Sequence, residues 1–457
     1  MTSIPTRLAE AQAPRYTSYP TAPHFSGAVD GAAYRRWLAA LPPETPLSLY
    51  LHVPFCHQLC WYCGCHTGVA NDYKRVAAYV DLLQQEIGLL ASALGQKGTP
   101  RRPVTALHWG GGTPSILSAE DFAAVMDHLK QVFDFQPGAE LAIEIDPRHL
   151  TAEKAAALAA AGINRASLGV QDFNPHVQEA INREQSFQTT VDAARRLRAA
   201  GIEALNVDLM YGLPYQGLND VKQTASLTAD IRPDRVSVFG YAHVPWMKKH
   251  QRMIDTAALP GVEERLAQAD MAERVLLLRG YRAVGLDHFA LPGDPLFRAA
   301  GEGELRRNFQ GYTTDQAEVL LGLGVSSIGT LPQGYAQNEK DLIAYAKALR
   351  AGRLPVVRGV ALSSEDRLRR DIIQALMCDF TVDLERQAAL HGLPGFDFSE
   401  DLARLRPLAA EGLAAVEGAR VQVSAEGRRV VRLIAACFDA YLGAAKAGGT
   451  QRHSQAV

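Results

Sequence analysis

The 457-residue chain has almost no excess of charge of either sign. Lysine and arginine total 47 against 49 acidic residues, a formal net charge of −2. No global basic surface therefore recommends nucleic acid or an anionic membrane as a partner. Long hydrophobic runs are lacking too, so no segment is expected to cross a bilayer. The opening Met1-Thr2-Ser3-Ile4-Pro5 has neither the charged nor the apolar region of a signal peptide. A cytoplasmic monomer is expected. Cysteine is scarce and unevenly placed: of six, four lie between Cys56 and Cys65, while Cys378 and Cys437 stand alone. A disulfide framework would spread its cysteines along a short secreted chain. A tight group in a reducing compartment points instead to metal.

What is present is ordinary globular material, 47% hydrophobic and 21% charged, enough for a large α/β domain and a smaller one. Residues 1–45 are turn-rich and read as a segment packing on the larger domain. Across 46–337 apolar runs alternate with helical periodicity. The runs are 47–53, 105–109, 141–145, 165–170, 204–210 and 235–239. Between the first two, Tyr73, Val76, Val80, Leu83, Ile87 and Leu90 recur at helical spacing after Asn71, a candidate N-cap. Ser118 with Asp121, and Thr151, announce further helix starts. Residues 338–445 read as a smaller, mainly helical domain, with a small β wing over 419–423 and 428–431. Residues 446–457 read as a flexible tail. Repeated strand–helix–strand units imply parallel strands with right-handed crossovers. The expected fold is an α/β, TIM-like parallel barrel, partly open, of about six βα units.

In such barrels the chemistry sits at the C-terminal ends of the strands. The unusual residues of this chain fall there. The cysteine loop follows the first strand and Gly110-Gly111-Gly112-Thr113-Pro114 the second. Glu144 and Asp146 end the third, Gln171 ends the fourth, Asp208 is late in the fifth, and Tyr241-Ala242-His243 follows the sixth.

Cys56-His57-Gln58-Leu59-Cys60-Trp61-Tyr62-Cys63-Gly64-Cys65 lets one short loop present three or four thiolates. Thiolates are the usual ligands of iron–sulfur clusters. Three of them would leave one iron open to the amino and carboxylate groups of S-adenosylmethionine. Electron transfer would then release a 5′-deoxyadenosyl radical. Structural zinc and plain thiols are the alternatives, but zinc sites more often use two separated CxxC pairs. Cys65 reads either as a fourth ligand or as a neighbour of the cluster. The glycine triplet reads as a tight turn or as a close-approach surface for a methionine moiety. Glu144 and Asp208 read as turn chemistry or as acceptors for ribose hydroxyl and ammonium groups. Arg183, taken alone, reads as a surface helix residue.

The cysteine loop, preceded by Tyr50-Leu51-His52-Val53-Pro54-Phe55, resembles the radical SAM superfamily. Within it the chain resembles the oxygen-independent coproporphyrinogen III oxidases (dehydrogenases) of haem biosynthesis. The resemblance is carried by Pro14-Arg15-Tyr16-Thr17-Ser18-Tyr19-Pro20-Thr21, Cys65, His108-Trp109-Gly110-Gly111-Gly112-Thr113-Pro114 and Asp208-Leu209-Met210-Tyr211-Gly212-Leu213-Pro214. Asn308-Phe309-Gln310-Gly311-Tyr312-Thr313-Thr314 and Gly324-Val325-Ser326-Ser327-Ile328 add to it. It implies oxidative decarboxylation of two propionates of coproporphyrinogen III to vinyl groups. It also implies a [4Fe–4S] cluster on Cys56, Cys60 and Cys63. One S-adenosylmethionine would lie near Tyr50, Gly111, Glu144 and Ile328. A second would lie near Tyr62, Gly112, Thr113, Gln171, Arg183, Asp208 and Ala242. Cys65 would sit beside the cluster, outside its ligand shell. Arg15 and Arg307 become candidates for the substrate carboxylates. An external electron donor, such as a small flavin or iron–sulfur protein, is implied. Arg306 departs from the family, which often has His there. The alternative is a haem chaperone of the same branch. It is expected to lack the Arg15–Thr21 segment, Cys65 and the Asn308–Thr314 segment.

Overall fold

The computed structural model describes residues 4–95 and 101–444. Six strands carry the site: β1 (Leu47–Val53), β2 (Pro103–Gly111), β3 (Asp134–Ile145), β4 (Arg165–Gln171), β5 (Ala204–Tyr211) and β6 (Arg235–Gly240). Each neighbouring pair is parallel, as helical crossovers require. They form the middle of a 12-stranded sheet. Beyond β1 follow Val319–Leu323, parallel to it, and then the antiparallel strands Ile328–Leu331, Gly334–Asn338 and Val356–Ala361. Beyond β6 the antiparallel His288–Ala290 and Arg282–Val284 complete the order. The order is linear, so the barrel is partly open.

Both faces of the strands are occupied, but by different chemistry. Leu47, Leu51, Trp109, Ile145, Leu205 and Val207 pack against the helices in the main core. The alternate positions Ser48, Ala106, His108, Ala142, Asn206 and Asp208 line an inner cavity of about 200 Å³. Period-two alternation thus separates a dry outer face from a polar lumen. The helix Tyr73–Ala93 buries Val76, Val80, Leu83, Ile87 and Leu90, as its periodicity predicts, but Tyr73 in its first turn is exposed and its hydroxyl donates to Asp121 Oδ2. Its cap is Asp72 rather than Asn71: the Asp72 carboxylate accepts from Lys74 N. Ser118 and Thr151 cap as expected.

A second core gathers Leu368, Ile372, Leu376, Leu405, Val421, Ile434 and Phe438. The sheet continues beyond residue 337, because Val356–Ala361 pairs with Gly334–Asn338. The N-terminal segment divides between the two cores. Leu8, Tyr16 and Tyr19 join the second. Tyr34 and Leu38, on the helix Gly31–Ala39, join the barrel. The wing is built from Thr381–Asp383, Ala414–Glu417 and Arg420–Val423. Residues 428–431 do not form its expected second strand. Val430, Val431, Ile434, Ala435 and Phe438 are buried at helical spacing, and the chain turns into the helix Val431–Ala436. The tail 446–457 lies outside the described residues. Among those described, no helix is long and apolar enough to cross a membrane.

Candidate active site

The cysteine loop leaves β1 and is closed at its base, where Phe55–Cys56 pairs with Gly68–Val69. Gly112 N donates to Val53 O and Thr113 N to Phe55 O, both at 2.8 Å, which docks the loop on the end of β2. Its far side is held by other parts of the rim. Asn182 Nδ2 donates to Leu59 O at 2.9 Å. His250 Nε2 donates to Cys63 O at 2.7 Å, and Lys248 Nζ to Cys65 O at 2.8 Å. Gln251 Nε2 donates to both Tyr62 O and Ala242 O, at 2.9 and 3.2 Å, tying the loop to the segment after β6.

Three sulfurs in this loop accept hydrogen bonds. Thr113 Oγ1 donates to Cys56 Sγ at 3.5 Å, with Thr67 Oγ1 at 3.2 Å from the same sulfur. Arg183 Nη1 donates to Cys60 Sγ at 3.5 Å, and Cys65 N to Cys63 Sγ at 3.4 Å. Hydrogen bonds to sulfur favour the thiolate and tune the potential of a cluster held by it. The Cys63 thiol is lowered to about 7, first by hydrogen bonding from Cys65 and then by Lys248 and Arg183. The Cys65 thiol, the donor of that pair, moves up. Among the described residues no three His, Cys, Asp or Glu groups converge closely enough for a single metal ion. A cubane, with irons at separate corners, does not need that convergence. The soft, separated donor set fits a [4Fe–4S] cluster.

The glycine triplet has a steric cause at every position. A Cβ on Gly110 would stand 2.9 Å from Glu144 Oε1 and from the Tyr50 ring. On Gly111, at φ +114°, it would stand 2.7 Å from the His52 ring, and on Gly112 2.6 Å from Phe55 O. The backbone can approach the loop only without side chains. Gly111 N donates to Glu144 Oε2 at 3.1 Å, and His108 Nε2 lies 3.1 Å from Oε1. His52 Nε2 donates to His66 O at 2.8 Å, which leaves Nδ1 to accept from the Tyr50 hydroxyl at 3.0 Å. Burial lowers His52 to about 4, so the ring is neutral. Tyr50 pairs with Gly322 across the sheet, and Ile328 packs directly over that glycine. Tyr50, Gly111, Glu144 and Ile328 therefore meet on one side of the loop.

Gln171 and Asp208 stand on the next two strands round the rim, β4 and β5. Gln171 ends β4 at φ +71°, a conformation uncommon for a side-chain-bearing residue. Asp208 accepts from Ser167 Oγ and Asn206 Nδ2, at 2.7 and 2.8 Å, while burial raises its carboxyl. Arg183 is not a surface helix residue. It lies in the loop after the helix Pro175–Ala180 and is 6% exposed. Its Nη2 donates to Gly169 O at 2.6 Å, and Asp146 lies 3.7 Å away. A buried cation between a thiol and a carboxylate is what took it inward. Of the substrate candidates, Arg15 Nη2 donates to Gly240 O at 3.3 Å. Arg307 lies over the Tyr312 ring at 4.6 Å. Arg306, beside it, points outward and is exposed.

Residues 50–228 match the model of the radical SAM superfamily, and residues 362–430 that of the HemN C-terminal domain. An oxygen-independent coproporphyrinogen III oxidase of Bradyrhizobium diazoefficiens is 50% identical over 448 residues, covering 98% of either chain. The chain belongs to the oxygen-independent coproporphyrinogen III oxidase family. Another oxidase of that name, from Paracoccus denitrificans, is 46% identical over 95% of each chain. The solved coproporphyrinogen III oxidase (HemN) of Escherichia coli, described as a radical SAM enzyme, superposes with a TM-score of 0.88 at 42% identity. That match covers 93% of this chain and 97% of the other.

Membership brings a [4Fe–4S] cluster and S-adenosylmethionine, and the sulfurs on the rim fit them. Sequence reading missed the residues that hold the loop. Lys248, His250 and Gln251 sit in an ordinary polar stretch, and their roles appear only when the fold brings them to the loop carbonyls. Thr67 and His52 were hidden likewise. The HWGGGTP motif was legible, but its glycines are explained by Tyr50, His52 and Phe55, residues it does not contain.

Proposed function

We propose that this chain carries out the oxygen-independent oxidative decarboxylation of two propionates of coproporphyrinogen III, giving protoporphyrinogen IX. The observation that carries the reading is the triad of sulfurs, each accepting a hydrogen bond, on the strand-end rim of a member of this family. When bound, a cluster on Cys56, Cys60 and Cys63 supplies the electron that cleaves S-adenosylmethionine to a 5′-deoxyadenosyl radical. The protein's own groups bind and orient. Tyr50, Gly111, Glu144 and Ile328 surround one S-adenosylmethionine. Glu144, already aligned by His108 and Gly111 N, has lone pairs left for a hydroxyl or ammonium group. Tyr62, Gly112, Thr113, Gln171, Arg183, Asp208 and Ala242 receive a second. Arg15 and Arg307 meet substrate carboxylates. Each reacting propionate loses a β-hydrogen atom, carbon dioxide and one electron, which passes to an external acceptor. A small flavin or iron–sulfur protein reduces the enzyme, which works as a cytoplasmic monomer.

The test is an anaerobic assay with coproporphyrinogen III, S-adenosylmethionine and a reductant, read as vinyl product and 5′-deoxyadenosine. Vinyl formation dependent on all three is expected. Protein with a full cluster that binds haem and makes no vinyl product would transfer the assignment to the haem chaperone.

A further inference from the structure

The strand His288–Ala290 runs antiparallel to β6, with His288 opposite Ser237. Residues opposite one another in a ladder face the same side, and both line the inner cavity. The turn before the strand is tied to β6 as well, since Val238 N donates to Asp287 O at 2.8 Å. His288 is 7% exposed. Its ring is clamped between those of Phe239 and Tyr312, with centroids 5.8 and 5.3 Å away and interplanar angles of 80° and 84°. Tyr312 is itself fixed. Its hydroxyl donates to Met377 O at 2.7 Å and accepts from Leu286 N at 3.1 Å. A Cβ on Gly285, at φ +60°, would collide with the Tyr312 ring.

The chain also fixes which nitrogen of that ring is free. Nδ1 lies 2.7 Å from Asp287 Oδ1. Burial pushes the Asp287 carboxyl up, but the bond from His288 and the charge of Arg307, 3.9 Å away, hold it down at about 2. An ionised carboxylate can only accept, so Nδ1 carries the hydrogen. In the neutral ring Nε2 is then an acceptor. Among the described residues no hydrogen bond falls on it. A buried acceptor in that condition calls for a donor from outside the chain. Space is kept on that edge by Gly311, at φ +119°, where a Cβ would stand 3.4 Å from Cε1 and Nε2. Around it the cavity presents Asn206, Asp208, Asn308, Gln310 and the Phe239 ring. His288 is near enough to Asp208 to act on its carboxyl. Carboxylates such as Asp208 suit ammonium and ribose groups. A neutral nitrogen beside an aromatic ring suits a neutral donor on a flat ring, and a pyrrole N–H is one.

We propose that His288 Nε2, oriented by Asp287, accepts a hydrogen bond from a pyrrole N–H of the tetrapyrrole. This rests on the function proposed above and deepens it. The contact matters most after the β-hydrogen atom has gone. The carbon radical left behind is conjugated with the pyrrole. When its unpaired electron passes to the external acceptor, positive charge spreads to the pyrrole nitrogen. The bond to the carboxylate then breaks, carbon dioxide leaves, and the electron pair of that bond becomes the vinyl π bond. The N–H is a stronger donor while the ring bears the charge, so its bond to Nε2 is strongest just before decarboxylation. Asp287 behind the imidazole stabilises whatever positive charge the ring takes up.

The test begins with anaerobic holoenzyme holding S-adenosylhomocysteine, which supplies no radical, dialysed to equilibrium against coproporphyrinogen III. Bound porphyrinogen is oxidised afterwards to fluorescent coproporphyrin and counted. His288→Phe, which keeps a ring but no acceptor, should raise Kd about 3- to 10-fold. His288→Leu carries the same expectation should the larger ring prevent folding. His288→Gln, which returns an amide oxygen near the place of Nε2, should recover part of the affinity. With S-adenosylmethionine and a reductant, kcat for vinyl formation in His288→Phe should fall about 10- to 100-fold. Iron content and the EPR shift caused by S-adenosylmethionine should stay as in wild type. Wild-type Kd and kcat in the folded Phe or Leu variant overturn the contact. Unchanged porphyrinogen binding with weakened S-adenosylmethionine binding gives Nε2 to the cofactor's ammonium group and overturns the assignment to pyrrole. Porphyrinogen binding that depends on His288, in an enzyme that makes no vinyl product, leaves the contact standing while the proposed reaction falls.

Discussion

At the N-terminal end of the barrel, Arg165 and Arg235 face Glu140 and Asp294. At the opposite end, Arg15, Arg307 and Arg432 act on Asp287. In the first group Arg165 lies 2.8 Å from Glu140 and 3.4 Å from Asp294. Arg235 lies 2.7 Å from Asp294 and 3.8 Å from Glu140. Two cations meet two carboxylates and the charges cancel within the chain. In the second group one carboxylate, Asp287, is engaged by His288 Nδ1 at 2.7 Å and lies 3.9 Å from Arg307 Nη1. Arg165, Arg235 and Asp294 are all buried, whereas Arg15 is exposed. Removing one member of a balanced buried group leaves another charge stranded, and that is the costly event.

The largest effect should come from the rim. Cys56→Ser, Cys60→Ser or Cys63→Ser should abolish both iron content and turnover, because a hard hydroxyl replaces a soft thiolate. Any one of these variants with a full cluster and normal turnover would break the site assignment. Next comes the floor. Asp294→Ala strands Arg235 and weakens the hold on Arg165, so a stability loss of ~3–5 kcal/mol is expected in chemical denaturation. Porphyrin affinity in the surviving native protein should stay unchanged. Weakened binding without loss of stability would erase the distinction between the two ends.

Glu86, unlike Asp294, is a buried carboxylate held by neutral donors. Tyr345 Oη, Asn338 Nδ2 and Gly324 N donate to it at 2.6, 2.6 and 2.7 Å, and burial still raises its carboxyl to about 7. The folded state therefore holds the proton more tightly than the unfolded chain, whose carboxyl titrates near 4.3. Its contribution to stability is fully present below that lower value and is lost as pH rises to about 7. The loss should be at most about 4 kcal/mol. Glu86→Gln should flatten this slope in denaturation curves taken between pH 5 and 8. An unchanged slope would mean that the group titrates elsewhere.

Much of this arrangement was legible in the sequence because it is periodic or locally coded. Apolar runs marked β1 to β6, and the convergence of Cys56, Gly111, Glu144, Gln171 and Asp208 followed from the rule that strand ends face one way. The clamp of Lys248, His250 and Gln251 on the cysteine loop was not legible, because it joins residues nearly 190 positions apart through unremarkable side chains. Arg183 misled for the same reason, since only the fold shows that it lies between Cys60 and Asp146. The split of the N-terminal segment between two cores was hidden because Leu8, Tyr16 and Tyr19 have no periodic spacing. Their partners, among them Leu368 and Phe438, lie at the far end of the chain.

The smallest change to the cofactor should come from Cys65, the fourth cysteine of the loop. Its backbone N donates to Cys63 Sγ, and its carbonyl accepts from Lys248. The residue is exposed, whereas Cys60 is buried and Cys56 and Cys63 are partly so. The hydrogen bonds to sulfur noted above fall on the other three, with the Cys65 thiol acting as donor toward Cys63. A cluster bound by four thiolates would also have no iron free for S-adenosylmethionine. Cys65→Ser should therefore keep full iron and sulfide content, and S-adenosylmethionine should still perturb the EPR spectrum of the reduced cluster. Vinyl formation should nevertheless fall, because the Cys65 thiol lies within electrostatic reach of Cys56 and Glu144, to which the proposed function gives the cluster and S-adenosylmethionine. All three readouts belong on one preparation. Loss of the cluster would make Cys65 a ligand and remove the open-iron argument. An intact cluster with undiminished vinyl yield would remove only its part in turnover.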